Sequence, residues 1–224
     1  MSRTPMTRHG TSAGPPPGRV RIIGGSLRNS RLLVPAVDGL RPTPERVRET
    51  LFNWLAPVLA GARCLDLCAG TGALGIEALS RGAASVRLVE RDPCVAQALR
   101  TNLERLHAVG GTVVVGAAQD MLRGPAQPFD VVFLDPPFAL DLWGTLAQLL
   151  DTGGWLAPSA LVYVESPGAV PPALPPSWQV HRQGRAGAVQ FGLYRPARAA
   201  SVKLESIGPA LCVAPPACPS RGTS

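Results

Sequence analysis

From residue 62 onward, short apolar runs alternate with segments in which apolar residues recur every three or four positions. The continuous runs are typical of buried strands, and the spaced apolar positions are typical of amphipathic helices. The predicted strands cover 63–67, 85–90, 112–116, 129–135 and 161–165, and the predicted helices cover 73–80, a segment that Asp92 caps, and 141–150. Strands that alternate with helices predict an α/β fold, with helices on both faces of a parallel sheet.

The pattern before residue 62 predicts an arm and a helix. Residues 19–34 contain two short apolar runs with a Gly-Gly pair between them, which is typical of a β-hairpin or β-arm. Thr43 then opens a helix as its N-cap, with Pro44 in the first helical position, and we expect Pro57 to end this helix. The predicted buried face of the helix consists of Val47, Leu51, Trp54 and Leu55.

At the other end of the chain, two apolar runs at 178–182 and 188–194 flank glycines and predict a final antiparallel hairpin. Both termini are rich in Pro, Gly, Ala or Ser, which is typical of disordered chain. The predicted organisation is therefore a disordered segment 1–18, a basic arm and helix over 19–57, an α/β domain over 58–195, and a disordered tail over 196–224.

Charge is distributed unevenly along the 224 residues. The net charge is +7, and residues 1–50 contain nine arginines against three acids, a balance of +6. The rest of the chain is nearly neutral at +1. A basic arm on a near-neutral body predicts a polyanionic partner, although a solvated charged tail would have the same composition.

The cysteines and the hydropathy of the chain indicate a protein of the reduced cytoplasm. None of the five cysteines forms a C-x-x-C pair, so the sequence lends little support to a zinc site. The first 18 residues have no apolar signal core, and no apolar run approaches the length of a membrane span. We therefore expect a cytoplasmic protein that binds neither a metal nor a membrane.

A glycine-rich loop follows the first predicted strand of the α/β region. Asp66 ends that strand, Gly70 and Gly72 lie in the loop, and Glu90 ends the second strand. Glycines let the backbone approach a ligand closely, and an acid at the end of the second strand suits a ribose diol. This set predicts an adenosyl cofactor, either S-adenosylmethionine or a nicotinamide dinucleotide.

The tetrapeptide Asp135-Pro136-Pro137-Phe138 favours S-adenosylmethionine. It follows the predicted strand 129–135, so it lies at the same sheet edge as the glycine loop. Two prolines remove two N–H donors and stiffen the chain, which leaves carbonyls as acceptors beside the Asp135 carboxylate. These acceptors would orient an amino group toward an electrophile, and Phe138 would offer a stacking surface. A plain rigid turn is the structural alternative.

Three longer segments join this tetrapeptide in resembling one family. They are RIIGG at 21–25, RPTPERVRETLFNWL at 41–55 and LGIEALSRGA at 74–83. Together with D-P-P-F, they resemble the RsmD family of bacterial 16S rRNA guanine-N2 methyltransferases, over about residues 19–195. The resemblance implies a Rossmann-like methyltransferase sheet, mostly parallel with an antiparallel C-terminal hairpin, and S-adenosyl-L-methionine as the methyl donor.

Site roles follow from the resemblance residue by residue. It implies that Asp66, Gly70 and Gly72 line the cofactor, that Glu90 holds its ribose, and that the segment 135–138 holds a flipped guanine. The family commonly has an acid or Asn near the cofactor adenine. Here Ala118 stands near that place, and Asp120, two residues later, is the candidate. Cys68 replaces the phenylalanine that usually precedes the family's glycine loop.

The resemblance also implies a partner, which is 16S rRNA or an assembling small ribosomal subunit. The predicted phosphate contacts are Arg21, Arg28, Arg41, Arg46 and Arg48, because arginine pairs with phosphate through a planar fork. Two alternatives remain open. One is an adenine-N6 DNA methyltransferase, which would share D-P-P-F but for which the chain offers no obvious target-recognition domain. The other is a non-enzymatic RNA-binding assembly factor.

Overall fold

The computed structural model describes residues 19–37, 40, 43–168 and 172–197. The predicted disordered segment 1–18 and all but the first two residues of the predicted tail 196–224 lie outside the described residues, and so does Arg41.

Most of the predicted elements are present, with ends shifted by a few residues. The strands are β1 (Arg19–Arg21), β2 (Arg31–Leu33), β3 (Arg63–Asp66), β4 (Ser85–Glu90), β5 (Gly111–Val115), β6 (Phe129–Leu134), β7 (Leu156–Pro167), β8 (Trp178–Ala186) and β9 (Val189–Pro196). The helices are α1 (Glu45–Leu59), α2 (Ala73–Ser80), α3 (Pro93–Arg105), α4 (Ala118–Leu122) and α5 (Trp143–Thr152), with a 3₁₀ turn at Phe138–Leu140. The short helix α4 was not predicted.

Seven strands form one sheet in the order β5-β4-β3-β6-β7-β9-β8. Strands β3 to β7 pair in parallel, whereas β9 runs antiparallel to both β7 and β8. The prediction of a mostly parallel sheet with an antiparallel C-terminal hairpin is confirmed. The chain leaves β3 toward β5 on one side and returns to β6 on the other, which makes a crevice at the carboxyl ends of β3 and β6.

Two apolar layers cover the two faces of this sheet. Alternate residues of β6 point to opposite faces, so Val131 and Phe133 lie in one layer and Val132 and Leu134 in the other. The first layer contains the buried residues of α1, α2 and α3, and the second contains those of α4 and α5. The predicted two-sided coverage of the sheet is therefore present.

Helix α1 departs from its prediction at both ends. It begins at Glu45 after Pro44, and Thr43 makes no capping bond to the helix. Pro57 lies inside the helix, which continues to Leu59. A proline so close to the end of a helix removes only one ladder hydrogen bond, and the extra turn buries Leu59 in the core. Burial of a leucine contributes about 2 kcal/mol, which offsets that loss.

The N-terminal arm is a two-stranded antiparallel hairpin that packs against the domain. The backbone N–H groups of Ile23 and Gly24 donate to the carboxylate of Glu77 in α2, at 2.7 and 2.8 Å. Gly25 has φ +77°, and a side chain there would overlap the carbonyl oxygen of Ser80. The Gly-Gly pair thus allows the hairpin turn to lie directly on α2.

Candidate active site

Four carboxylates lie where parallel strands of the sheet end. Asp66 ends β3, Glu90 ends β4, Asp135 follows β6, and Glu165 lies near the end of β7. Carboxyl ends of parallel strands share one edge of the sheet, and ligands of open α/β folds bind at that edge, beside the switch point. The strand order therefore brings together residues that are 99 positions apart in the sequence.

The glycine loop between β3 and α2 is held from below by Asp66. Gly70 and Gly72 have φ of +49° and +78°, a region that favours glycine. The Asp66 carboxylate accepts a hydrogen bond from Gly75 N–H at 3.1 Å, and Asp66 is only 2% exposed. Burial raises the pKa of Asp66 to about 7. Asp66 therefore supports the loop. Its predicted role at the cofactor site stays a prediction, and this buried side chain would act there through the loop that it holds.

Glu90 connects the glycine loop to the start of α3. Its Oε2 accepts from Gly70 N–H and its Oε1 accepts from Asp92 N–H, both at 2.9 Å. Asp92 caps α3 as predicted, through bonds from two backbone N–H groups. Each Glu90 oxygen is then fixed in place and can still accept another hydrogen bond. A half-buried carboxylate held in this way suits a diol.

The D-P-P-F segment combines a half-buried acid with an exposed ring. Thr43 Oγ1 donates to Asp135 Oδ2 at 3.2 Å, so the residue predicted to cap α1 instead binds the acid of this segment. Burial, together with the nearby Glu165, raises the pKa of Asp135 well above its usual range. Pro136 is buried, whereas Phe138 is 42% exposed, with its ring centroid 5.7 Å from that of Trp143. The ring is therefore open to a flat ligand.

The sequence analysis missed Glu165 and its partner Tyr163. Tyr163 Oη donates to Glu165 Oε2 at 2.7 Å, and both side chains are buried. Their signal was present, because Glu165 closes the predicted strand 161–165 just as Asp66 and Glu90 close theirs. An acid at the end of a buried parallel strand belongs to the same sheet edge as the other two.

Asp120 gains no support as an adenine contact. It lies in the first turn of α4, its side chain is 75% exposed, and it forms a 3.1 Å ion pair with Arg123. This pairing turns the carboxylate toward solvent. Its neighbour Ala118 is buried and carries no polar side-chain atom.

Three of the predicted RNA-contacting arginines are exposed. They are Arg21, Arg28 and Arg46, of which Arg21 forms a 2.8 Å ion pair with Glu45 on the surface. A surface pair of this kind contributes little stability and can exchange its carboxylate for a phosphate.

The prediction that Arg48 contacts RNA is wrong, because Arg48 is 1% exposed. Its guanidinium donates to the carbonyl oxygens of Thr43 and Arg21, at 3.2 and 3.0 Å, and lies 3.5 Å from the carboxylate of Glu77. Helical spacing places Arg48 on the same side of α1 as Leu55, and the docked arm and Glu77 of α2 cover it there.

Within the described residues, no group of three or more His, Cys, Asp or Glu residues could hold a metal ion. None of the helices in the described part of the chain is long and apolar enough to cross a membrane.

The sheet order, the glycine loop and the D-P-P-F edge define the class, which is that of Rossmann-like methyltransferases. Within this class the chain belongs to the family described as "Conserved hypothetical protein 95", whose pattern it matches over residues 20–195.

Individual relatives agree with this family. The chain is 50% identical to ribosomal RNA small subunit methyltransferase D of Escherichia coli over 181 residues, which are 80% of this chain and 90% of the relative. It is 44% identical to the protein of the same name from Haemophilus influenzae, over 80% of this chain and 94% of the relative. The solved structure of yhhF from Escherichia coli superposes with a TM-score of 0.75 and 49% identity, covering 81% of this chain and 99% of that one.

Proposed function

We propose that this protein transfers the methyl group of S-adenosylmethionine to the exocyclic N2 amino group of a guanine in 16S rRNA. The observation that carries the proposal is the position of Asp135-Pro136-Pro137-Phe138 beside the glycine loop, at the carboxyl edge of the sheet. The two relatives named ribosomal RNA small subunit methyltransferase D support the choice of RNA. Because the substrate is ribosomal RNA, we expect the reaction to take place in the cytoplasm.

The residues at the glycine loop fit an adenosyl cofactor. Gly70 and Gly72 have positive φ and no side chain, so a ligand could approach the backbone of the loop closely. Glu90 retains one acceptor position on each carboxylate oxygen, which matches the two hydroxyls of a ribose. The cofactor would supply a methyl group made electrophilic by the positive charge on sulfur.

The D-P-P-F segment would hold the amino group. The guanine N2 lone pair is delocalised into the ring and is a poor nucleophile. Hydrogen bonds from the amino group to the Asp135 carboxylate and to the carbonyl oxygen of Pro136 would localise that pair and orient it toward the methyl group of the cofactor. Positive charge that develops on nitrogen is stabilised by the same acceptors, so orientation and electrostatics account for the rate.

Two further features would contact the RNA substrate. A guanine must leave its stack to reach the sheet edge, and the exposed ring of Phe138 provides a surface on which it can stack. The exposed arginines Arg21, Arg28 and Arg46, with Arg41 as a further candidate, would neutralise phosphates near the site.

The deciding experiment uses labelled S-adenosylmethionine with 16S rRNA, small subunits and DNA as separate substrates, followed by nucleoside analysis. The proposal expects N2-methylguanosine from an RNA-containing substrate. N6-methyladenine in DNA would replace it with the DNA methyltransferase alternative, and RNA binding without transfer would leave an assembly factor. Asp135→Asn is the loss-of-function variant, and Glu104→Gln, on the exposed side of α3, is its matched control.

A further inference from the structure

We infer that the C-terminal β-hairpin carries a second RNA-binding surface, which binds backbone phosphates of the substrate on the side of the site away from the arm. This hairpin surface consists of Arg182 and Arg185 on β8 and Arg195 on β9. The inference rests on the proposed function for the identity of the nucleic acid. It adds phosphate contacts to those that were predicted from the arm and α1.

The near-neutral charge of the chain beyond residue 50 conceals a local excess in this hairpin. Residues 172–197 contain three arginines and no acid. All three arginines of the hairpin surface are exposed, and none of them takes part in an ion pair with the described residues. Elsewhere on the surface, Arg63 and Arg123 each lie beside a carboxylate. The hairpin therefore presents positive charge that no acid of the described chain neutralises.

The strand ladder brings the hairpin to the edge of the sheet where the site lies. Glu165, near the end of β7, pairs with Phe191 of β9, which in turn pairs with Gly184 of β8. Arg185 is one position beyond this row, at the carboxyl edge. Strands β6 and β8 are three interstrand spacings apart, about 14 Å. A phosphate bound by Arg185 would then belong to a nucleotide close to the base held by the segment 135–138.

The turn between β8 and β9 holds Arg185 in this position. Its Nε donates to the carbonyl oxygen of Gly187 at 3.0 Å. The turn itself is tied to the end of β7, because Gly168 N–H donates to the carbonyl oxygen of Ala188 at 2.7 Å. This bond uses Nε and leaves the terminal guanidinium nitrogens for an anion. A side chain that is already held loses less conformational freedom when it binds.

Arg182 and Arg195 place further charge on one face of the hairpin. Arg182 pairs with Leu193, whose side chain lies in the apolar layer that contains α1. Arg195 is two positions after Leu193 in β9 and therefore points to the same face. Desolvation, followed by the charges of Arg195 and Arg182, lowers the pKa of the intervening His181. Both arginines thus lie close to one imidazole, and a polyanion would relieve their mutual repulsion.

The hairpin surface continues onto α1. Trp54 of α1 stacks on Phe191 of β9, with ring centroids 5.5 Å apart. Arg46 lies on the same stripe of the helix as Trp54, because residues four and eight positions apart follow one face. Arg46 is therefore on the hairpin side of α1, whereas Arg48 donates to the arm. Arg46 and the hairpin surface together form one basic region.

The arm lies on the other side of the site. The backbone of Leu33 in β2 is bound on both its polar groups by Asn102 of α3. Helix α3 packs on β4 and β5, at the far end of the sheet from β8. An RNA backbone that crosses the carboxyl edge would therefore meet positive charge on both sides of the base that enters the site.

Protection of an open sheet edge is a different role for these charges. Strand β8 is the last strand of the described sheet, and charged side chains on such a strand hinder pairing with a second copy of the chain. Arg195 does not fit this role, because β9 is paired with β7 on one side and β8 on the other. Edge protection predicts self-association when the arginines of β8 are neutralised, with no change in RNA affinity.

The test compares Arg182→Gln/Arg185→Gln with the matched control Arg63→Gln/Arg123→Gln in filter binding to protein-free 16S rRNA. Both double variants lose two positive charges, but each arginine of the control is already paired with an acid. At physiological salt the hairpin variant should bind about tenfold more weakly or worse, and its salt slope should fall by about one to two. An unchanged slope in the hairpin variant, or an equal fall in the control, overturns the inference.

Two further variants separate RNA binding from edge protection. Arg182→Lys/Arg185→Lys should restore most of the salt slope, because the charge returns. Arg195→Gln should lower the slope by about one while the protein stays monomeric in size-exclusion chromatography. Self-association of the hairpin variant with an unchanged slope would assign the arginines to edge protection. Weaker binding to small subunits with an unchanged slope on free RNA would assign them to a protein of the subunit, and either result overturns the inference.

Methyl transfer distinguishes this inference from the proposed function. In single-turnover assays with labelled S-adenosylmethionine, the hairpin variant should need about tenfold more RNA for half-maximal rate, with an unchanged rate at saturation, because the segment 135–138 is intact. A lower saturating rate at an unchanged half-maximal concentration overturns the inference. A wild-type protein that binds RNA but transfers no methyl group would overturn only the proposed function, since the comparison of salt slopes does not depend on turnover.

Discussion

Arg48→Met should lower the free energy of unfolding of this protein, whereas Arg46→Met, two positions earlier on the same helix, should not. Arg48 is buried and binds the carbonyl oxygens of Thr43 and Arg21, so removing it leaves two acceptors unsatisfied. Each buried unsatisfied group costs about 1–3 kcal/mol. Glu77 keeps its bonds from the arm backbone and from Arg81, so no unpaired charge adds the full penalty.

The free energy of unfolding of Arg48→Met should therefore fall by about 3 kcal/mol. For a chain of this size, that loss lowers Tm by about 6–12 °C. Arg46→Met removes an exposed side chain one half-turn away, and its stability should change by about 0.5 kcal/mol or less. Urea unfolding followed by tryptophan fluorescence measures the stability of both variants. A filter-binding titration at several salt concentrations measures their affinity for RNA.

The two variants should show opposite patterns. Arg46→Met should weaken RNA binding and reduce the salt slope by about one, with stability preserved. Arg48→Met should lose stability, and at a temperature where it is folded its salt slope should equal that of wild type. A stable Arg48→Met protein with a shallower salt slope would show that Arg48 reaches the phosphate backbone after all.

Three further outcomes follow from the site. Glu90→Ala should strongly weaken S-adenosylmethionine binding in calorimetry while the protein stays folded, with some loss of stability because the N–H groups of Gly70 and Asp92 lose their acceptor, and unchanged affinity would remove Glu90 from the cofactor site. Asp135→Ala should cut methyl transfer by about a hundredfold or more with little change in cofactor affinity, whereas wild-type turnover would reduce the motif to a turn. A triple variant in which Ala replaces Arg21, Arg28 and Arg46 should bind RNA more weakly and with a shallower salt dependence. An unchanged salt slope would show that these arginines do not contact phosphates.

The arm must be tested by substitution, because it is part of the fold. Ile22 and Leu32 are buried in the apolar layer that covers one face of the sheet, and Glu77 binds the arm backbone. Removing the arm would expose this layer and would remove the hydrogen bonds that the arm makes with Glu77 and Arg48. Its basic surface and its structural contacts can be separated only one side chain at a time.

Local patterns were sufficient to predict much of this protein. Apolar periodicity located the strands and most helices, since burial on one face imposes a fixed spacing wherever an element forms. The glycine loop, Glu90 and the segment 135–138 could be recognised because each follows directly on a strand. In parallel strands, sequence position after a strand already specifies which edge of the sheet a residue occupies.

Tertiary structure decided the roles that depend on what packs against a residue. Arg46 and Arg48 lie on different sides of one helix, and the docked arm together with Glu77 of α2 makes Arg48 a buried hydrogen-bond donor while Arg46 stays on the surface. Thr43 has the side chain of an N-cap, yet its hydroxyl donates a hydrogen bond to Asp135, 92 residues later. Glu165 lies at the same sheet edge as Asp135 because β6 pairs with β7. A side chain's hydrogen-bond partners and its dielectric surroundings come from chain segments far away in sequence, and the order of strands in the sheet determines which segments those are.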